Sequence, residues 1–479
     1  MPIMTRVDFR PQDPSFHADP LPIFRQILAS GSVRWSCLVT ARCVVMALTL
    51  VLLATGGALR AQSLSKSAAG GAASLRVASW NLGWHVATAE LPNWISTCSG
   101  YFRKSRAAAI WERAGENDDG ATQGWQVTES RAKLEGVDLA KMPPCAVYQD
   151  GRRQGIAVTP QSWAKRLSQI QQILATKVNA DVIAFQEVSG VAAVREALGP
   201  LADQFNVCSF DGKYKVQRLA FAWKKALGAA AEPCAVVHEM SLPDLPIDDQ
   251  VRPGLTMALR IDGKLLRLMT VHLKSSCVSA LDRGRLDDDD LKSPCTVLQR
   301  QVQPFEAAFE KLGAGGAHFI LIGDLNRNLW HDANQVAGAA AVRSDGSHDL
   351  TAPLDARTKT QNLWLEINDG QPPESRAVLL QLNCAGDVAL QKLCEDAHTR
   401  VLDRKELRQL AAADALGCRN SVALDQAIVS QTLAASVRRA DKLAIGKFGG
   451  TMNAKPPKFA DPVLAVSDHC PMLIELLLP

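Results

Sequence analysis

Apolar residues follow two different periods along this chain, and each period predicts a different kind of element. Residues 161–178 place apolar side chains every three or four positions, and residues 297–312 do the same, which predicts two amphipathic helices. Short apolar runs predict strands at residues 75–80, 181–186, 219–223, 255–261, 265–273, 319–322, 424–429 and 472–478. Strands that alternate with a few long helices predict an α/β protein layered around sheets.

Residues 85–160 break this regularity. They show few strand patterns, and three tryptophans, Trp94, Trp111 and Trp125, are spread through them. We therefore expect an irregular insertion. Its tryptophans either pack in its own core or stack on bases, since an aromatic ring suits both purposes.

Residues 1–61 resemble an export signal more than a folded segment. An apolar run at residues 43–55 follows two arginines and precedes small residues, which predicts a secretory signal peptide cleaved after Ala61. The run is shorter than the roughly 20 residues that span a bilayer, so an uncleaved anchor is the weaker alternative. Residues 1–32 are long and polar for a signal, and we expect translation to begin near Val33. The predicted location is secreted or periplasmic.

Composition is that of a globular protein. The chain has 479 residues, of which 47% are hydrophobic and 21% charged, and these values disfavour disorder and a polytopic membrane protein. The net charge of +4 says little about partners, because most of it lies in residues 1–61. Residues 62–74 are a linker of small residues, and residues 75–479 are expected to form one domain, a monomer that includes the insertion.

Cysteine spacing favours disulfides over zinc. The chain has 12 cysteines and no CxxC or Cys/His zinc pattern, and an exported protein meets an oxidising compartment. Proximity in the sequence suggests Cys98 with Cys145, Cys208 with Cys234, Cys277 with Cys295, and Cys384 with Cys394 or Cys418. Cys470, beside a candidate catalytic histidine, is expected to stay free.

Polar side chains recur where the predicted strands end. They are Asn81, Glu187, His272, Asp324 with Asn326, Asp425, and Asp468 with His469. A single acid at a strand end is usually a turn or cap residue, but loops on a rigid sheet are also where chemistry concentrates. Carboxylate and amide oxygens bind hard divalent ions, and Glu187 with Asn81 beside it suits that role. His469, as a neutral imidazole, can accept a proton from water.

Six segments, in order, resemble the endonuclease/exonuclease/phosphatase superfamily, which includes pancreatic-type DNase, exonuclease III-type enzymes, neutral sphingomyelinases and inositol polyphosphate phosphatases. The segments are SWNLGW, FQEV, VHLKS, GDLNRN, LDQAIVS and SDHCP. The resemblance implies a four-layer α/β sandwich with two packed, mostly antiparallel sheets flanked by helices. It also implies Mg2+- or Mn2+-dependent phosphoester hydrolysis. Gln426 replaces a common histidine, and the insertion is long for the family.

The resemblance also suggests roles for individual residues. It places Asp468 near the metal ligands Glu187 and Asn81, and it makes Asp425 the partner of the general base His469. Asp324 and Asn326 would position water and contact the phosphate, and His272 would donate a hydrogen bond to a phosphate oxygen. Lys274 shares the strand face of His272, and Arg218 precedes a strand, so both are candidate phosphate-binding residues. The alternative for Lys274 is an ordinary surface lysine that takes no part in the site.

Three functions compete for this site. A nuclease acting on DNA or RNA is favoured, because residues 431–460 contain a basic set that can follow a phosphate backbone. That set is Arg438, Arg439, Lys442, Lys447, Lys455 and Lys458, against Asp441 alone. A sphingomyelinase-type enzyme acting on phospholipid is the second, with the insertion as its membrane contact. A non-catalytic binding protein is the third, and the intact set of polar residues argues against it.

Overall fold

The fold was obtained as a computed structural model, and its centre is a pair of packed sheets. The structure describes residues 74–105, 110–127, 133–138, 141–145, 158–211, 216–278, 294–334, 362–384, 388–420, 423–448 and 464–478. Residues Ala72–Pro479 belong to one compact unit. The predicted signal peptide and almost all of the predicted linker lie outside the described residues.

The first sheet has seven strands in the described part of the chain. Their order is Asn383–Cys384 (β14), Val437–Lys442 (β16), Met472–Leu477 (β17), Ser74–His85 (β1), Val182–Val188 (β6), Arg218–Lys224 (β8) and Phe205–Ser209 (β7). At the sheet centre, β1 runs antiparallel to β17 and parallel to β6. The β1–β6 register shifts after the pair Asn81–Gln186, so the ladder bends where both strands carry candidate site residues.

The second sheet has six described strands. Their order is Ala377–Leu379 (β13), Asp425–Ser430 (β15), His318–Asp324 (β12), Lys264–Thr270 (β11), Gly254–Ile261 (β10) and Glu232–Val237 (β9). The turn between β10 and β11 is Asp262-Gly263, with φ of 48° and 82°, as expected for a two-residue hairpin turn. The strands β12 and β15 pair antiparallel, and Asp324 is directly opposite Asp425.

Apolar side chains from both sheets form one core between them, including Val77, Phe221, Leu268, Ile322 and Ile474. The outer face of the first sheet packs against Pro160–Ile173 (α3), Val191–Leu198 (α4), Val388–Thr399 (α8) and Arg404–Ala411 (α9). The outer face of the second packs against Pro294–Gly313 (α5), Leu329–Ala333 (α6) and Leu363–Ile367 (α7). The short helix Gln431–Ala434 (α10) contributes Leu433 to the core between the sheets. The predicted four-layer sandwich is confirmed.

The insertion has more structure than its sequence indicates, and the expectation of an irregular segment is wrong. It contains a four-stranded sheet in the order Thr122–Gln123 (β4), Tyr101–Lys104 (β2), Ile110–Ala114 (β3) and Lys133–Leu134 (β5), with the helices Leu91–Ser99 (α1) and Gly124–Val127 (α2). Strands this short carry too few residues for a clear period. Trp94 and Trp125 are buried in a local core, which favours packing over base stacking for both.

Five disulfides lie within the described residues. They are Cys98–Cys145, Cys208–Cys234, Cys277–Cys295, Cys384–Cys394 and Cys418–Cys470. The first four agree with the pairs suggested by proximity. The expectation that Cys470 stays free is wrong, because the fold brings Cys418 to it across 52 residues. None of the helices in the described part of the chain has the length and hydrophobicity needed to span a bilayer.

Candidate active site

The polar strand ends of the two sheets meet at one edge of the sandwich. Asn81, in β1 of the first sheet, donates from Nδ2 to Oδ2 of Asp324, at the end of β12 in the second, over 3.0 Å. Both side chains are almost fully buried. A residue next to this edge, His272, forms an isolated bridge with Asp324 just after β11. Asn81 of β1 and His272 after β11 therefore both contact Asp324.

Glu187 projects into the site from an unusual backbone conformation. Its φ is +57°, a region that non-glycine residues seldom adopt, and it lies where the register of β6 with β8 shifts. The Trp84 backbone N–H donates to Oε2 over 2.9 Å, which leaves Oε1 directed at Nε2 of His272, 3.6 Å away. Burial raises the pKa of Glu187, and the nearby charge of Asp468 raises it further.

His469 and Asp425 form a buried dyad. The Nδ1 atom of His469 is 3.0 Å from Oδ1 of Asp425, so the carboxylate holds the proton on Nδ1 and leaves Nε2 as the acceptor in the neutral ring. Lys442 in β16 lies 3.3 Å from the other oxygen, Oδ2. Burial opposes charge at Asp425, yet His469 and Lys442 outweigh it and lower the pKa of Asp425.

Asp324 lies between the dyad and Glu187. Its Oδ2 is 3.4 Å from Nε2 of His272 and 3.7 Å from Nε2 of His469, while Oδ1 accepts from the Asn326 backbone N–H over 2.9 Å. Asn326 has φ of +51°, and its side chain donates to the Leu273 carbonyl over 3.1 Å. Burial raises the pKa of Asp324 to about 7.

The two histidines have opposite electrostatic surroundings. Burial lowers the pKa of His272 well below 6.5, and the cations Arg252, His469 and Lys274 lower it further. Burial also disfavours charge on His469, but the carboxylates of Asp425 and Asp324 outweigh it and raise the pKa of His469 to about 10. His272 is therefore a neutral hydrogen-bonding group, and His469 is the stronger proton acceptor.

Asp468 is fixed by a loop that the sequence did not single out. Its Oδ2 accepts from Arg419 over 3.0 Å and from Nδ2 of Asn420 over 2.8 Å. That same Nδ2 is 3.1 Å from Nε2 of His469. The disulfide Cys418–Cys470 links the two segments that carry these groups.

Two arginines, also missed by sequence reasoning, hold the backbone around the site: Arg252 is half-buried and Arg166 is buried. Arg252 donates to the carbonyls of His272 and Leu273 and to Oε1 of Gln217. Arg166 in α3 donates to the carbonyls of four residues in two segments: Leu82, Gly83, Ala465 and Val466. The first segment follows Asn81, and the second precedes Asp468.

The two candidate phosphate-binding residues lie at the margin of this centre. The backbone N–H of Lys274 donates to Gln301, and its Nζ donates to the Ser275 carbonyl over 3.0 Å. Arg218 donates to the Ser189 carbonyl over 2.8 Å, two residues beyond Glu187. Both cations thus lie close to segments that carry site residues.

Part of the basic set in residues 431–460 is placed differently from expectation. Lys442 is buried and paired with Asp425, so it cannot follow a phosphate backbone at the surface. Arg438 and Arg439 are exposed on β16, and Arg439 pairs with Asp441. Lys455 and Lys458 lie outside the described residues.

Two groups of side chains can be compared as metal ligands. Ligand atoms of Asp324, Asp425 and His469 lie within 4.8 Å of one another, but those of Asp425 and His469 are engaged with each other, and Lys442 already supplies Asp425 with a positive charge. Burial and, after it, the like charge of Asp468 raise the pKa of Glu187, and Oε1 of Glu187 faces the site. Carboxylate and amide oxygens are the ligands that hard divalent cations prefer. Glu187, Asp468 and Asn81 therefore fit such a cation better.

Several solved structures resemble this chain at low sequence identity. An endonuclease/exonuclease/phosphatase family protein from Bacteroides thetaiotaomicron is 12% identical, with 85% of this chain and 99% of that chain covered and a TM-score of 0.37. The human Nocturnin catalytic domain is 13% identical, with 67% and 89% covered and a TM-score of 0.37. ANGEL2, described as a 2',3'-cyclic phosphatase, is 14% identical, with 85% and 96% covered and a TM-score of 0.39.

No curated protein matches the chain. The family comparison is more informative, because the match begins just before α3 and ends at His469, and so spans most of the candidate site residues described above. Residues 154–469 match the model of the Endonuclease/Exonuclease/phosphatase family, and the chain belongs to that family.

Proposed function

We propose that this protein is a divalent-cation-dependent phosphodiesterase and that its substrate is a nucleic acid. The observation that carries the proposal is the position of His469, which hydrogen-bonds Asp425 through Nδ1 while Nε2 lies 3.7 Å from Asp324. A proton acceptor, a neutral donor in His272 and the carboxylate of Glu187 thus surround one point. General-base hydrolysis needs this arrangement.

The residues of the chain divide the reaction between them. His469 accepts a proton from water at Nε2, the water oxygen forms a bond to phosphorus, and the opposite P–O bond breaks, after which the leaving oxygen takes a proton from solvent. Asp425 stabilises the imidazolium, and Lys442 balances the charge of Asp425. His272 and Asn326, which lie on either side of Asp324, would donate hydrogen bonds to the phosphate oxygens.

Glu187, Asp468 and Asn81 would hold Mg2+ or Mn2+. When bound, the ion neutralises charge on the phosphate oxygens. The orientation of Glu187 depends on the Trp84 backbone N–H, and that of Asp468 on Arg419 and Asn420.

An exposed cation beside the site supports a polyanionic substrate. Arg419 is half exposed and lies against Asp468. Positive charge next to a phosphodiester site favours a long phosphate backbone over a single headgroup. The five disulfides fit an oxidising compartment, in agreement with export as a secreted or periplasmic monomer.

The test offers closed plasmid DNA, single-stranded DNA, RNA and sphingomyelin vesicles to the protein, with Mg2+, with Mn2+ or with EDTA. The variant His469→Ala removes the acceptor, and His318→Ala is the matched control, since His318 is at the far end of β12 and bonds Thr432. We expect cation-dependent cleavage of nucleic acid that falls by about 10²–10⁴-fold in His469→Ala only.

The other outcomes separate the competing functions. Turnover of sphingomyelin without cleavage of nucleic acid would assign a phospholipid phosphodiesterase. Binding of nucleic acid without turnover would assign a non-catalytic protein. Equal turnover by His469→Ala and the native protein would refute the mechanism.

A further inference from the structure

The side-chain amide of Asn420 reaches the atom of His469 that must accept the proton. Its Nδ2 is 3.1 Å from Nε2 of His469 and 2.8 Å from Oδ2 of Asp468. An amide nitrogen carries two hydrogens, so it can donate to Asp468 and, when the His469 ring is neutral, to Nε2 as well. The opposite orientation would place the amide oxygen against the Asp468 carboxylate, where two acceptors repel each other.

The backbone of Asn420 is fixed by contacts on both sides. Its N–H donates to the Asp468 carbonyl over 2.7 Å, and its carbonyl accepts from Nζ of Lys442 over 3.4 Å. Two residues earlier, Cys418 is bonded to Cys470, the neighbour of His469. A group anchored on both sides holds its geometry through a reaction, which is the condition for positioning a reactant.

Asn420 is also open to solvent, unlike the dyad. It is half buried, whereas His469 and Asp425 are almost fully buried. Direct contact at 3.1 Å leaves no room for a water, so the side-chain amide must first turn away from Nε2 on its anchored backbone. A water that then enters can accept a hydrogen bond from the amide and donate one to the imidazole. Its remaining lone pair is then free for phosphorus.

We propose that Asn420 is a further residue of the reaction centre, which positions the attacking water between its Nδ2 and Nε2 of His469. This inference rests on the proposed function. The water proton passes to Nε2, the water oxygen bonds to phosphorus, and the P–O bond to the leaving oxygen breaks, so Asn420 itself is unchanged.

If Asn420 had only a structural role, it would act by holding Asp468. A matched variant separates that role from the proposed positioning of water at His469. Arg419→Met removes the other side-chain donor to Oδ2 of Asp468 and leaves Nε2 of His469 untouched. Asn420→Asp keeps the shape of the side chain and removes its donor, and Asn420→Gln keeps the amide. We would measure kcat and KM on the nucleic acid that the native protein cleaves, with thermal unfolding as the check on folding.

We expect kcat to fall by about 100-fold in Asn420→Ala and Asn420→Asp with KM nearly unchanged, since a misplaced reactant costs that much. Asn420→Gln should recover part of the loss. Arg419→Met, which loosens Asp468 but leaves Asn420 in contact with Nε2 of His469, should raise KM and should lower kcat by less than Asn420→Ala does. In the metal-free protein, at a pH where the His469 ring is neutral, the Nε2 ¹⁵N resonance of His469 should shift more in Asn420→Ala than in Arg419→Met.

An unchanged kcat in a folded Asn420→Ala, or equal losses in Asn420→Ala and Arg419→Met, would overturn this inference alone. Absence of turnover in the native protein on all substrates would overturn the proposed function as well, so the two failures are distinguishable.

Discussion

The ammonium of Lys442 lies 3.3 Å from Oδ2 of Asp425, on the oxygen that His469 does not use. Lys442 and Asp425 lie in β16 and β15, strands of different sheets, and both side chains are about 4% exposed. A buried carboxylate without a counter-charge is costly. The lysine therefore allows Asp425 to stay ionised when His469 is neutral.

Removal of this counter-charge should destabilise the protein. Lys442→Met keeps the length of the side chain and leaves Asp425 buried with His469 as its remaining described partner. We expect the free energy of unfolding to fall by about 3–5 kcal/mol, the usual cost of breaking a buried pair from one side. Urea unfolding with the disulfides intact measures it.

The matched control is Lys392→Met, the same substitution in the exposed pair with Asp396. Exposed pairs contribute little, so its unfolding midpoint should stay close to that of the native protein. Similar losses of unfolding free energy in Lys442→Met and Lys392→Met would show that burial of the Lys442–Asp425 pair does not increase its contribution to stability.

The two site histidines should titrate on opposite sides of the ordinary value of 6.5. In the metal-free protein, the pKa of His469 is raised to about 10, so its ring stays protonated as pH rises through neutrality. The pKa of His272 is well below 6.5, so its ring stays neutral as pH falls through 6.5. NMR titration of the imidazole C–H signals measures both, and the variants His469→Ala and His272→Gln assign them.

Addition of Mg2+ brings positive charge near Glu187 and should lower the pKa of His469. That shift is the change that a neutral proton acceptor requires. A pKa of His469 near 6.5 without the metal would contradict the influence attributed to Asp425 and Asp324.

Sequence reasoning located the strand-end residues because each lies next to an apolar run. The apolar runs also predicted the strands at the sheet centres, because a strand that is buried on both faces has a continuous apolar sequence. Sequence reasoning missed β7, β9, β13 and β14, which are at the edges of their sheets and contain two to six residues. It also missed β16, which lies inside the first sheet but has the polar sequence VRRADK. Edge strands bury less surface, and their pattern is correspondingly weak.

The residues that support the site were missed for a different reason. Arg166 lies within a helical pattern, and the carbonyls it holds are 299 and 300 positions away in the second segment. Lys442 appeared to belong to a basic surface until β16 was placed beside β17. Such relationships are tertiary contacts, which local periodicity does not record.

Arg166 should matter for both stability and turnover. Arg166→Met leaves four buried carbonyls without this donor, and a single unsatisfied buried group costs about 1–3 kcal/mol. We expect a loss of several kcal/mol in unfolding free energy, together with lower kcat, because the two segments carry Asn81 and His469. Arg166→Lys should recover little of either, since lysine lacks the planar fork.

Lys165→Met is the control for Arg166, since Lys165 is the neighbouring residue of α3 and is exposed. Urea unfolding and steady-state kinetics on the three variants give both quantities. Full recovery of kcat and stability in Arg166→Lys would show that a positive charge at this position is enough to hold the four carbonyls, without the planar guanidinium group.

Loss of the disulfide Cys418–Cys470 should weaken catalysis more than loss of another disulfide. The double variant Cys418→Ser with Cys470→Ser frees the segment that carries Asn420 and Arg419, so kcat should approach that of Asn420→Ala. The control is Cys208→Ser with Cys234→Ser, which opens a link between β7 and β9. Closing a chain loop contributes about 3–5 kcal/mol for loops of this range, so both variants lose stability, and kcat is compared at a temperature where both are folded. Equal kcat in the two double variants would mean that the contacts of Asn420 with Asp468 and Lys442 hold it in place without the covalent link.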